Sequence, residues 1–374
     1  MISPKAFYEY LDSAGINFYA GVPDSLLKDF CGYVSDNVKG EQHIITSNEG
    51  GAIAIGIGHY LATGFPPLVY MQNSGFGNTI NPLISLADPA VYSIPMILLI
   101  GWRGEPGVKD EPQHIKQGYV SEDLLNTLDI PYSILDSETD AYNLVKKAVR
   151  DSLDSSRPYA ILVRKNTFSK YNMIDLNENK CSISREQAIE MVVDLINEDD
   201  IVVSTTGKIS RELFEIRSKK KMGHFRDFLT VGGMGHANQI ALGIALIKEN
   251  RTIYCFDGDG AILMHTGSIG TIGQQTPSNM KHIVFNNGAH DSVGGQPTIG
   301  FDISFRNMAN IFNYKSSFII ESVNEFKDIF SEFKLSKGPS FLEIKVNKGS
   351  RTDLGRPTID PLNNRNDFMK FLNE

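Results

Sequence analysis

The sequence predicts an α/β protein with two doubly wound parallel-sheet domains. The chain has 374 residues, whereas a typical single domain has about 100–200. Short β-rich segments alternate with longer helix-like segments along the whole chain, which is typical of parallel α/β sheets. The two halves also share a local pattern, because TSNEGGAIAIGIGHYLATG and TVGGMGHANQIALGIALIKEN each run from a strand end through a glycine turn into a helix. Two related domains account for this repetition better than one domain with an extension.

Composition and charge limit the classes of function. Hydrophobic residues make up 41% of the chain and charged residues 21%, as in ordinary globular proteins. The net charge of −8 argues against broad binding to nucleic acids or anionic membranes. The three cysteines have no CxxC spacing, and no apolar stretch suits a signal peptide or a membrane span. We therefore expect a soluble, cytoplasmic protein with no nucleic-acid partner and no membrane partner.

The first domain is expected over residues 1–170 and contains six strand candidates. In chain order they are INFYAGV, HIITS, PLVYMQ, PMILLIG, PYSIL and PYAILVRK. Helical patterns such as SLLKDFCGYV and TDAYNLVKKAVRDSL lie between them. The polar stretch over residues 171–184 has neither a helical nor a strand period, so we interpret it as a linker.

The second domain is expected over residues 185–374 and repeats this alternation. Its strand candidates are DIVVSTT, FLTVG, TIYCFD, HIVFNN, SFIIE and SFLEIKV. The segments REQAIEMVVDLI, NQIALGIALIKE and VNEFKDIFSEF have the helical pattern. Six strands are enough for a separate doubly wound sheet.

An aspartate and an asparagine follow two successive strands of this second sheet. Strand TIYCFD leads into Gly258, Asp259 and Gly260, and strand HIVFNN contains Asn286, 27 residues after Asp259. This interval suits one βαβ crossover, which would bring both side chains to the carboxyl edge of the sheet. Carboxylate and amide oxygens suit Mg²⁺, and glycines let phosphates approach the backbone. The alternative is two unrelated turns, since DG is also a hairpin signal. The strand contexts and the spacing together favour the metal site.

This pattern resembles the diphosphate–metal signature of thiamine-diphosphate-dependent enzymes. The resemblance covers nearly the whole chain and implies a pyrimidine-binding domain and a diphosphate-binding domain of one fold, with no middle domain. It implies thiamine diphosphate and Mg²⁺ as cofactors, with Asp259, Asn286 and the carbonyl of Gly288 as metal ligands. It also implies that the cofactor lies at a subunit interface, so that the protein is a homodimer or a higher homo-oligomer.

The resemblance implies further cofactor contacts. Glu49 resembles the glutamate that contacts the aminopyrimidine ring of the cofactor, and Met234 resembles the residue that supports its bent shape. Without the metal pair, Glu49 would be interpreted as a favourable charge at a helix N-terminus and Met234 as a core residue. The remaining cofactor-binding candidates are Gly207, Lys208, Gly232, Gly258, Gly260 and Ala261.

Several motifs resemble a narrower group, the phosphonopyruvate decarboxylases. They are GVPDSLL, DEPQH, TTGKISRELFE, NNGAHDSVGGQPT and GSRTDLGRPT. The resemblance implies a carboxy-lyase that converts 3-phosphonopyruvate, a phosphonate 2-keto acid, into phosphonoacetaldehyde and CO₂ in phosphonate biosynthesis. Sulfopyruvate decarboxylase is the nearest alternative, and a non-catalytic cofactor-binding regulatory subunit is an alternative of another class. The presence of both Glu49 and the metal pair speaks against the regulatory subunit. A dehydrogenase is a weaker alternative, since no GxGxxG follows the first strand of either half.

These motifs contain the catalytic and substrate candidates. Asp24, Ser25, His114 and His290 are proton-transfer or orienting candidates, although Asp24 and Ser25 suit helix capping equally well and each histidine has packing as its alternative. Arginine binds oxyanions in a bidentate manner, and Lys208 suits either the substrate phosphonate or the cofactor diphosphate. The glycines of SVGG favour a mobile lid. The substrate-binding candidates are Ser25, His114, Ser292, Gln296, Arg351 and Arg356.

Overall fold

The computed structural model describes residues 1–174 and 181–374, which form two units on either side of residues 175–180. The predicted linker, residues 171–184, lies partly outside the described residues. In its described part, the Tyr171 hydroxyl donates to Asp36 of the first unit (2.9 Å). The side chain of Asn347, in the second unit, donates to the carbonyl of Cys181 (2.9 Å). The limits of the linker and of the two domains stay a prediction.

Six parallel strands form the sheet of the first unit, in the order β2-β1-β3-β4-β6-β5. All six strand candidates of the first half are confirmed. The strands are β1 Tyr19–Gly21, β2 His43–Ile45, β3 Leu68–Gln72, β4 Met96–Gly101, β5 Tyr132–Leu135 and β6 Pro158–Val163. The helices are α1 Pro4–Ser13, α2 Lys28–Asn37, α3 Glu49–Thr63, α4 Ile80–Pro82, α5 Pro112–Thr127 and α6 Ala141–Ser155. Short 3-10 turns at Gly40–Gln42 and Asn73–Thr79 and a π-helical turn at Leu83–Ala87 connect them.

The second unit also has a sheet of six parallel strands, in the order β11-β12-β10-β9-β7-β8, and its six strand candidates are confirmed. The strands are β7 Ile201–Ser204, β8 Asp227–Leu229, β9 Ile253–Gly258, β10 Met280–Asn286, β11 Ser316–Ile320 and β12 Ser340–Lys345. The helices are α7 Arg185–Leu195, α8 Lys208–Lys219, α9 Ala237–Ala245, α10 Asp259–Met264, α11 Gly267–Gln275, α12 Phe305–Ile311, α13 Val323–Leu335 and α14 Pro361–Asn373.

The two sheets have the same topology. When the strands are counted within each unit, both sheets have the order 2-1-3-4-6-5. The predicted repetition of one fold is therefore confirmed. In each unit the strand order reverses beside the first strand, and open α/β sheets bind ligands at the carboxyl edge near such a reversal.

The central strands are buried on both faces, because helices cover each side of the sheet. In β4, Ile97 and Leu99 lie in the apolar cluster that includes α1, α2 and α6. Leu98 and Ile100 lie in the cluster on the opposite face. Since the faces are occupied by packing, the polar residues that matter for function lie where strands end. Among the described residues, none of the helices is long and apolar enough to cross a membrane.

Candidate active site

The predicted side-chain ligands Asp259 and Asn286 lie close together at the carboxyl edge of the second sheet. Asp259 follows β9 and Asn286 ends β10, and these strands pair in parallel with Phe285 opposite Gly258. Both side chains are buried. A Cβ atom built on Gly300 would lie 2.6 Å from Asn286 Oδ1 and 2.9 Å from Asp259 Oδ2. The two oxygen atoms therefore converge on one small space, and the strand-end interpretation of Asp259 is preferred to the hairpin.

The orientation of the Asn286 amide is fixed by its partners. Its Nδ2 donates to the carbonyl of Gly300 (2.6 Å) and to Glu343 Oε1 (2.8 Å). Its Oδ1 accepts from the N–H of Gly288 (3.1 Å). Because both amide hydrogens are used on one side, the amide oxygen faces the space that it shares with Asp259.

These oxygen donors fit Mg²⁺. Burial raises the pKa of Asp259 to about 6, and its partners are the Thr298 hydroxyl and backbone N–H groups, including that of Asn287. No cationic side chain of the described residues stands among these partners. A buried carboxylate without a cationic partner is stabilised by a bound cation, and Mg²⁺ prefers oxygen ligands of this kind. The carbonyl of Gly288 accepts from the Thr298 N–H (3.0 Å) and keeps a second lone pair for a metal.

Two glycine turns border this space. Gly207, with φ +100°, precedes α8 at Lys208, and Gly258 precedes α10 at Asp259. The two turns are neighbours, since a Cβ on Gly258 would lie 3.4 Å from Ile209 Cδ1. Lys208 is half-buried, which lowers its pKa. The predicted diphosphate contacts at these turns thus lie at one edge of the sheet.

The loop after Asn286 covers the same turns. A Cβ on Gly207 would lie 3.0 Å from Ser292 Oγ, and a Cβ on Gly260 would lie 3.2 Å from the His290 ring. Burial lowers the pKa of His290 to about 4, so its imidazole is neutral near pH 7. The predicted substrate residue Ser292 and the catalytic candidate His290 are therefore brought to the predicted cofactor turns.

Gln296 lies in this loop and has an unusual environment. Its side chain is buried, yet neither its amide oxygen nor its amide nitrogen has a hydrogen-bond partner among the described residues. Buried amides are normally paired, because an unpaired one costs about 1–3 kcal/mol. Both ends of this amide therefore lack a partner within the described residues.

The segment GGMGH packs against α10. A Cβ on Gly235 would lie 3.0 Å from the carbonyl of Ala261. Gly232 and Met234 are half-buried in this segment, so Met234 is not a core residue. The structure leaves its predicted contact with the cofactor as a prediction.

Sequence reasoning missed a buried ionic network beneath the loop. Arg185 forms two hydrogen bonds with Glu212 (2.8 and 2.9 Å) and a third with Asp291 Oδ2 (2.9 Å). Asp291 also accepts from Asn287 Nδ2 (2.9 Å) and from the N–H of Gly349. The network attaches the loop after Asn286 to α7 and α8. Two quoted motifs contain Glu212 and Asp291, but their side chains meet only through the distant Arg185.

Arg351 is engaged by carboxylates. Its guanidinium contacts Glu186 (3.0 Å), Asp353 (3.0 Å) and Glu215. Three carboxylates oppose a further anion at this arginine, so the structure gives no support to Arg351 as a phosphonate contact. Arg356, the second C-terminal candidate, is exposed.

Asp257 lies two residues before Asp259, but its side chain makes buried contacts in the core. Its Oδ2 accepts from Asn238 Nδ2 (3.1 Å) and lies 3.4 Å from His282 Nε2. The other ring nitrogen of His282 lies 3.0 Å from the Tyr314 hydroxyl. These buried contacts hold the end of β9 against α9 and β10 and so position the turn that carries Asp259.

In the first unit, Glu49 is the first residue of α3 and is buried. Its Oε2 accepts from Asn78 Nδ2 (2.7 Å), and burial raises its pKa. A Cβ on Gly75 would lie 2.1 Å from Glu49 Oε1, so the carboxyl group packs directly against the Gly75 backbone. Asn48 caps the helix by accepting from the Gly51 N–H (2.8 Å). The predicted contact of this buried carboxyl with the cofactor stays a prediction.

Asp24 and Ser25 follow β1 at the same edge of the first sheet. Asp24 Oδ2 accepts from the N–H groups of Leu26 (2.8 Å) and Leu27 (3.2 Å). This is the capping role that the sequence left open, although Asp24 caps the turn before α2 rather than α2 itself. Burial raises the pKa of Asp24 to about 6.

Two residues that were not predicted connect Ser25 with His114. Arg103 Nη1 donates to Ser25 Oγ (2.8 Å), and Arg103 also pairs with Asp110. The Nδ1 atom of His114 lies 3.0 Å from Asp110 Oδ1. The structure therefore brings Ser25 and His114 into one cluster. Asp110 lies in the DEPQH motif, whereas Arg103 carries no local sequence signal.

The chain resembles known thiamine pyrophosphate enzymes in both units. Residues 4–125 match the family described as "Thiamine pyrophosphate enzyme, N-terminal TPP binding domain". Residues 205–344 match the family described as "Thiamine pyrophosphate enzyme, C-terminal TPP binding domain". The order of the two matches agrees with the order of the predicted pyrimidine-binding and diphosphate-binding domains.

Three curated proteins are similar over most of the chain. The chain is 32% identical to phosphonopyruvate decarboxylase from Streptomyces viridochromogenes, with 100% of the chain and 95% of that protein covered. It is 31% identical to phosphonopyruvate decarboxylase from Streptomyces hygroscopicus, with the same coverage. It is 27% identical to sulfopyruvate decarboxylase from Methanosarcina acetivorans, with 91% of the chain and 90% of that protein covered.

Proposed function

The chain belongs to the thiamine pyrophosphate enzymes, and from this premise we propose that it decarboxylates 3-phosphonopyruvate to phosphonoacetaldehyde and CO₂. The observation that supports this substrate is the sequence identity of 31–32% over the full chain with two phosphonopyruvate decarboxylases. The sulfopyruvate decarboxylase is less similar, at 27%. The enzyme is a carboxy-lyase that uses thiamine diphosphate together with a divalent metal such as Mg²⁺.

The second unit supplies the residues that would hold the cofactor. Asp259 Oδ2 and Asn286 Oδ1 would bind Mg²⁺, with the Gly288 carbonyl as the third protein ligand. The turns at Gly207 and Gly258 would receive the diphosphate. When bound, thiamine diphosphate supplies the electron sink for loss of CO₂ from a 2-keto acid.

The first unit supplies an acid. Burial favours the protonated form of Glu49 by raising its pKa, and a carboxyl group can hold a proton at Oε1 or Oε2 for the aminopyrimidine ring. Asn78 orients the carboxyl by donating to Oε2 (2.7 Å). Oε1 is the oxygen that packs against Gly75.

Substrate contacts are proposed in the loop after Asn286 and in the cluster at Ser25. The neutral imidazole of His290 can donate one hydrogen bond and accept another, and the unpaired amide of Gln296 can also do both. The Ser25 hydroxyl accepts from Arg103 (2.8 Å) and donates to Asp24 Oδ1 in a long contact of 3.5 Å. These groups suit an oxygen-rich 2-keto acid.

We also propose that the smallest active form is a homodimer with the cofactor between subunits, in the cytoplasm and with no nucleic-acid or membrane partner. Light scattering coupled to activity across a dilution series tests the oligomeric state. Full specific activity in a monomer would contradict it.

The substrate is tested by CO₂ release from phosphonopyruvate, sulfopyruvate and pyruvate, each with Mg²⁺ and thiamine diphosphate. We expect the largest kcat/KM with phosphonopyruvate. Turnover of sulfopyruvate with none of phosphonopyruvate would overturn the proposed substrate. Cofactor binding with no turnover of any of the three acids would instead favour the regulatory subunit.

A further inference from the structure

Arg103 lies where three neighbouring strands of the first sheet end. It follows β4, and its backbone N–H and carbonyl both bond the side chain of Asn73, which follows β3 (3.2 and 2.8 Å). Its side chain reaches Ser25, which follows β1 (2.8 Å). Strands β1, β3 and β4 are adjacent in the sheet. Arg103 is therefore at the carboxyl edge, beside the strand-order reversal where open α/β sheets bind ligands.

The guanidinium of Arg103 is held in one orientation by Asp110. Nε and Nη2 both donate to this carboxylate, the Nε bond being 2.7 Å. Asp110 is itself held by the N–H groups of Gly104 (2.9 Å) and Glu111 (2.8 Å). The hydrogen bonds from Arg103, then from His114 and these two N–H groups, keep the pKa of Asp110 well below its usual range, so it remains a carboxylate. Its side chain and that of Arg103 are only 13% and 15% exposed.

This arrangement leaves donors of Arg103 available. A guanidinium has five N–H donors, and contacts within the described residues use three of them, two on Asp110 and one on Ser25. The remaining two are on Nη1 and Nη2. A fixed guanidinium that still has donors suits a tetrahedral oxyanion, because arginine bonds such groups through two parallel N–H groups.

Arg351 and Arg103 differ in the number of carboxylates that contact the guanidinium. Arg351 contacts three carboxylates, from Glu186, Glu215 and Asp353. Arg103 pairs with one carboxylate, and its free donors lie beside a residue that we place at the substrate. Three carboxylates therefore contact the guanidinium of Arg351 directly, whereas only Asp110 does so at Arg103, where Asp24 and Glu111 act from a longer distance.

We propose that Arg103 is the substrate-binding residue that recognises the oxyanion at C3 of the substrate, with Asp110 as the residue that positions it. This inference rests on the proposed function and names the side chain that distinguishes a phosphonate-bearing or sulfonate-bearing 2-keto acid from pyruvate. Ser25 lies on the other side of the same guanidinium, where its hydroxyl accepts from Arg103 Nη1 (2.8 Å) and donates to Asp24 Oδ1 (3.5 Å).

The test uses holoenzyme with thiamine diphosphate and Mg²⁺, in wild-type form and as Arg103→Met, Arg103→Lys and Arg164→Met. Arg164 is the matched control, because it follows β6 at the same edge and pairs with Glu105 and Asp136. Two quantities are measured: kcat/KM for phosphonopyruvate, sulfopyruvate and pyruvate, and calorimetric binding of phosphonoacetate. Phosphonoacetate carries the oxyanion but has no keto group.

Arg103→Met is expected to lower kcat/KM for phosphonopyruvate and the affinity for phosphonoacetate by about 10- to 100-fold, the usual effect of a lost bond to a charged group. Its kcat/KM for pyruvate is expected to change by less than about threefold, which is less than the change expected from losing one such bond. Arg103→Lys keeps the positive charge but not the parallel N–H groups of the guanidinium, so its losses of kcat/KM and of affinity should be smaller. Arg164→Met should match the wild type on every ligand.

Equal losses on phosphonopyruvate and pyruvate would overturn the inference, since Arg103 would then only position Ser25. Unchanged phosphonoacetate binding in Arg103→Met, or no binding to the wild type, would also overturn it. If the wild type fails to decarboxylate phosphonopyruvate, the proposed substrate fails. The phosphonoacetate measurement and the sulfopyruvate arm still decide the role of Arg103 in that case. If Arg103→Met does not fold, Arg103→Lys carries the same comparison.

Discussion

The two units of this protein have one topology but carry different chemistry at equivalent positions. The third and fourth strands of the second unit lead into Asp259 and Asn286, whose oxygen atoms converge on one space. The third and fourth strands of the first unit lead into Asn73 and Arg103, which bond each other through side chain and backbone. The same edge thus holds oxygen donors in one unit and an arginine in the other.

From this difference we infer that the fold determines where functional side chains lie, whereas the residue type determines what they bind. Oxygen donors around a buried space suit a cation, and a fixed guanidinium suits an anion. The helix after the second strand shows the same division, since α3 begins with the buried acid Glu49 and the segment before α9 carries the apolar Met234.

Replacing Asp259 should have the broadest effect, because it should remove cofactor binding together with activity. Asp259→Ala should lower cofactor-dependent activity by at least about 100-fold, because even outer partners of metal ligands are worth 10- to 100-fold. Titration calorimetry should show that Mg²⁺-dependent binding of thiamine diphosphate is lost. Asp302→Ala, an exposed aspartate of the same unit, is the control. Normal activity of Asp259→Ala would remove Asp259 from the site.

Replacing the carboxyl group of Glu49 in the first unit should lower the rate of the reaction without weakening cofactor binding. Glu49→Gln keeps the size of the side chain but cannot exchange a proton, so kcat should fall by about 10²- to 10⁴-fold. The dissociation constant of thiamine diphosphate should stay close to that of the wild type. Glu41→Gln, at an exposed position, is the control. A normal kcat for Glu49→Gln would show that the first unit contributes no acid.

Breaking the buried ionic network of the second unit should destabilise that unit. Arg185→Met leaves Glu212 and Asp291 as buried charges without their partner, which should lower the free energy of unfolding by about 3–5 kcal/mol. Arg164→Met removes an arginine that is 39% exposed and should change it by about 0–1 kcal/mol. Urea denaturation compares the two variants. Equal effects would mean that burial of the network is not what stabilises the loop.

A smaller effect is expected at the turn that supports Glu49. Gly75→Ala adds a methyl group that would lie 2.1 Å from Glu49 Oε1, and overpacking of this kind costs about 1–3 kcal/mol. Displacement of the carboxyl should therefore reduce kcat by about 10-fold or more. Gly77→Ala lies in the same turn with no atom near its added methyl group, so it should keep wild-type kcat. Identical kcat values for both variants would argue against the position of Glu49.

The sequence was informative where a signal is local. The twelve strands of the described residues follow from β-rich segments bounded by turns, and Asp259 directly follows one of them whereas Asn286 ends the next. One βαβ interval then brings them to the same edge, so their meeting was predictable. The fold class and the cofactors were confirmed, whereas the roles of individual site residues stay predictions.

Other features depend on contacts between distant residues. Arg103 meets Ser25 across 78 positions, and Arg185 meets Asp291 across 106. No spacing in the sequence indicates such pairs. The same reason explains Arg351, which looks like any other arginine in sequence but is surrounded by three carboxylates in the structure. Burial of Gln296 without partners is likewise visible only in three dimensions.

The central claim is that the second unit binds the metal whereas the first unit contacts the aminopyrimidine ring. A crystal structure with Mg²⁺ and thiamine diphosphate tests this claim most directly. We predict Mg²⁺ at about 2.0–2.1 Å from Asp259 and Asn286 oxygen atoms. We also predict the Glu49 carboxyl within about 2.6–3.2 Å of an aminopyrimidine nitrogen. A metal bound at the buried group of Cys255, Asp257 and His282 instead, or a pyrimidine ring with no contact to Glu49, would contradict the account.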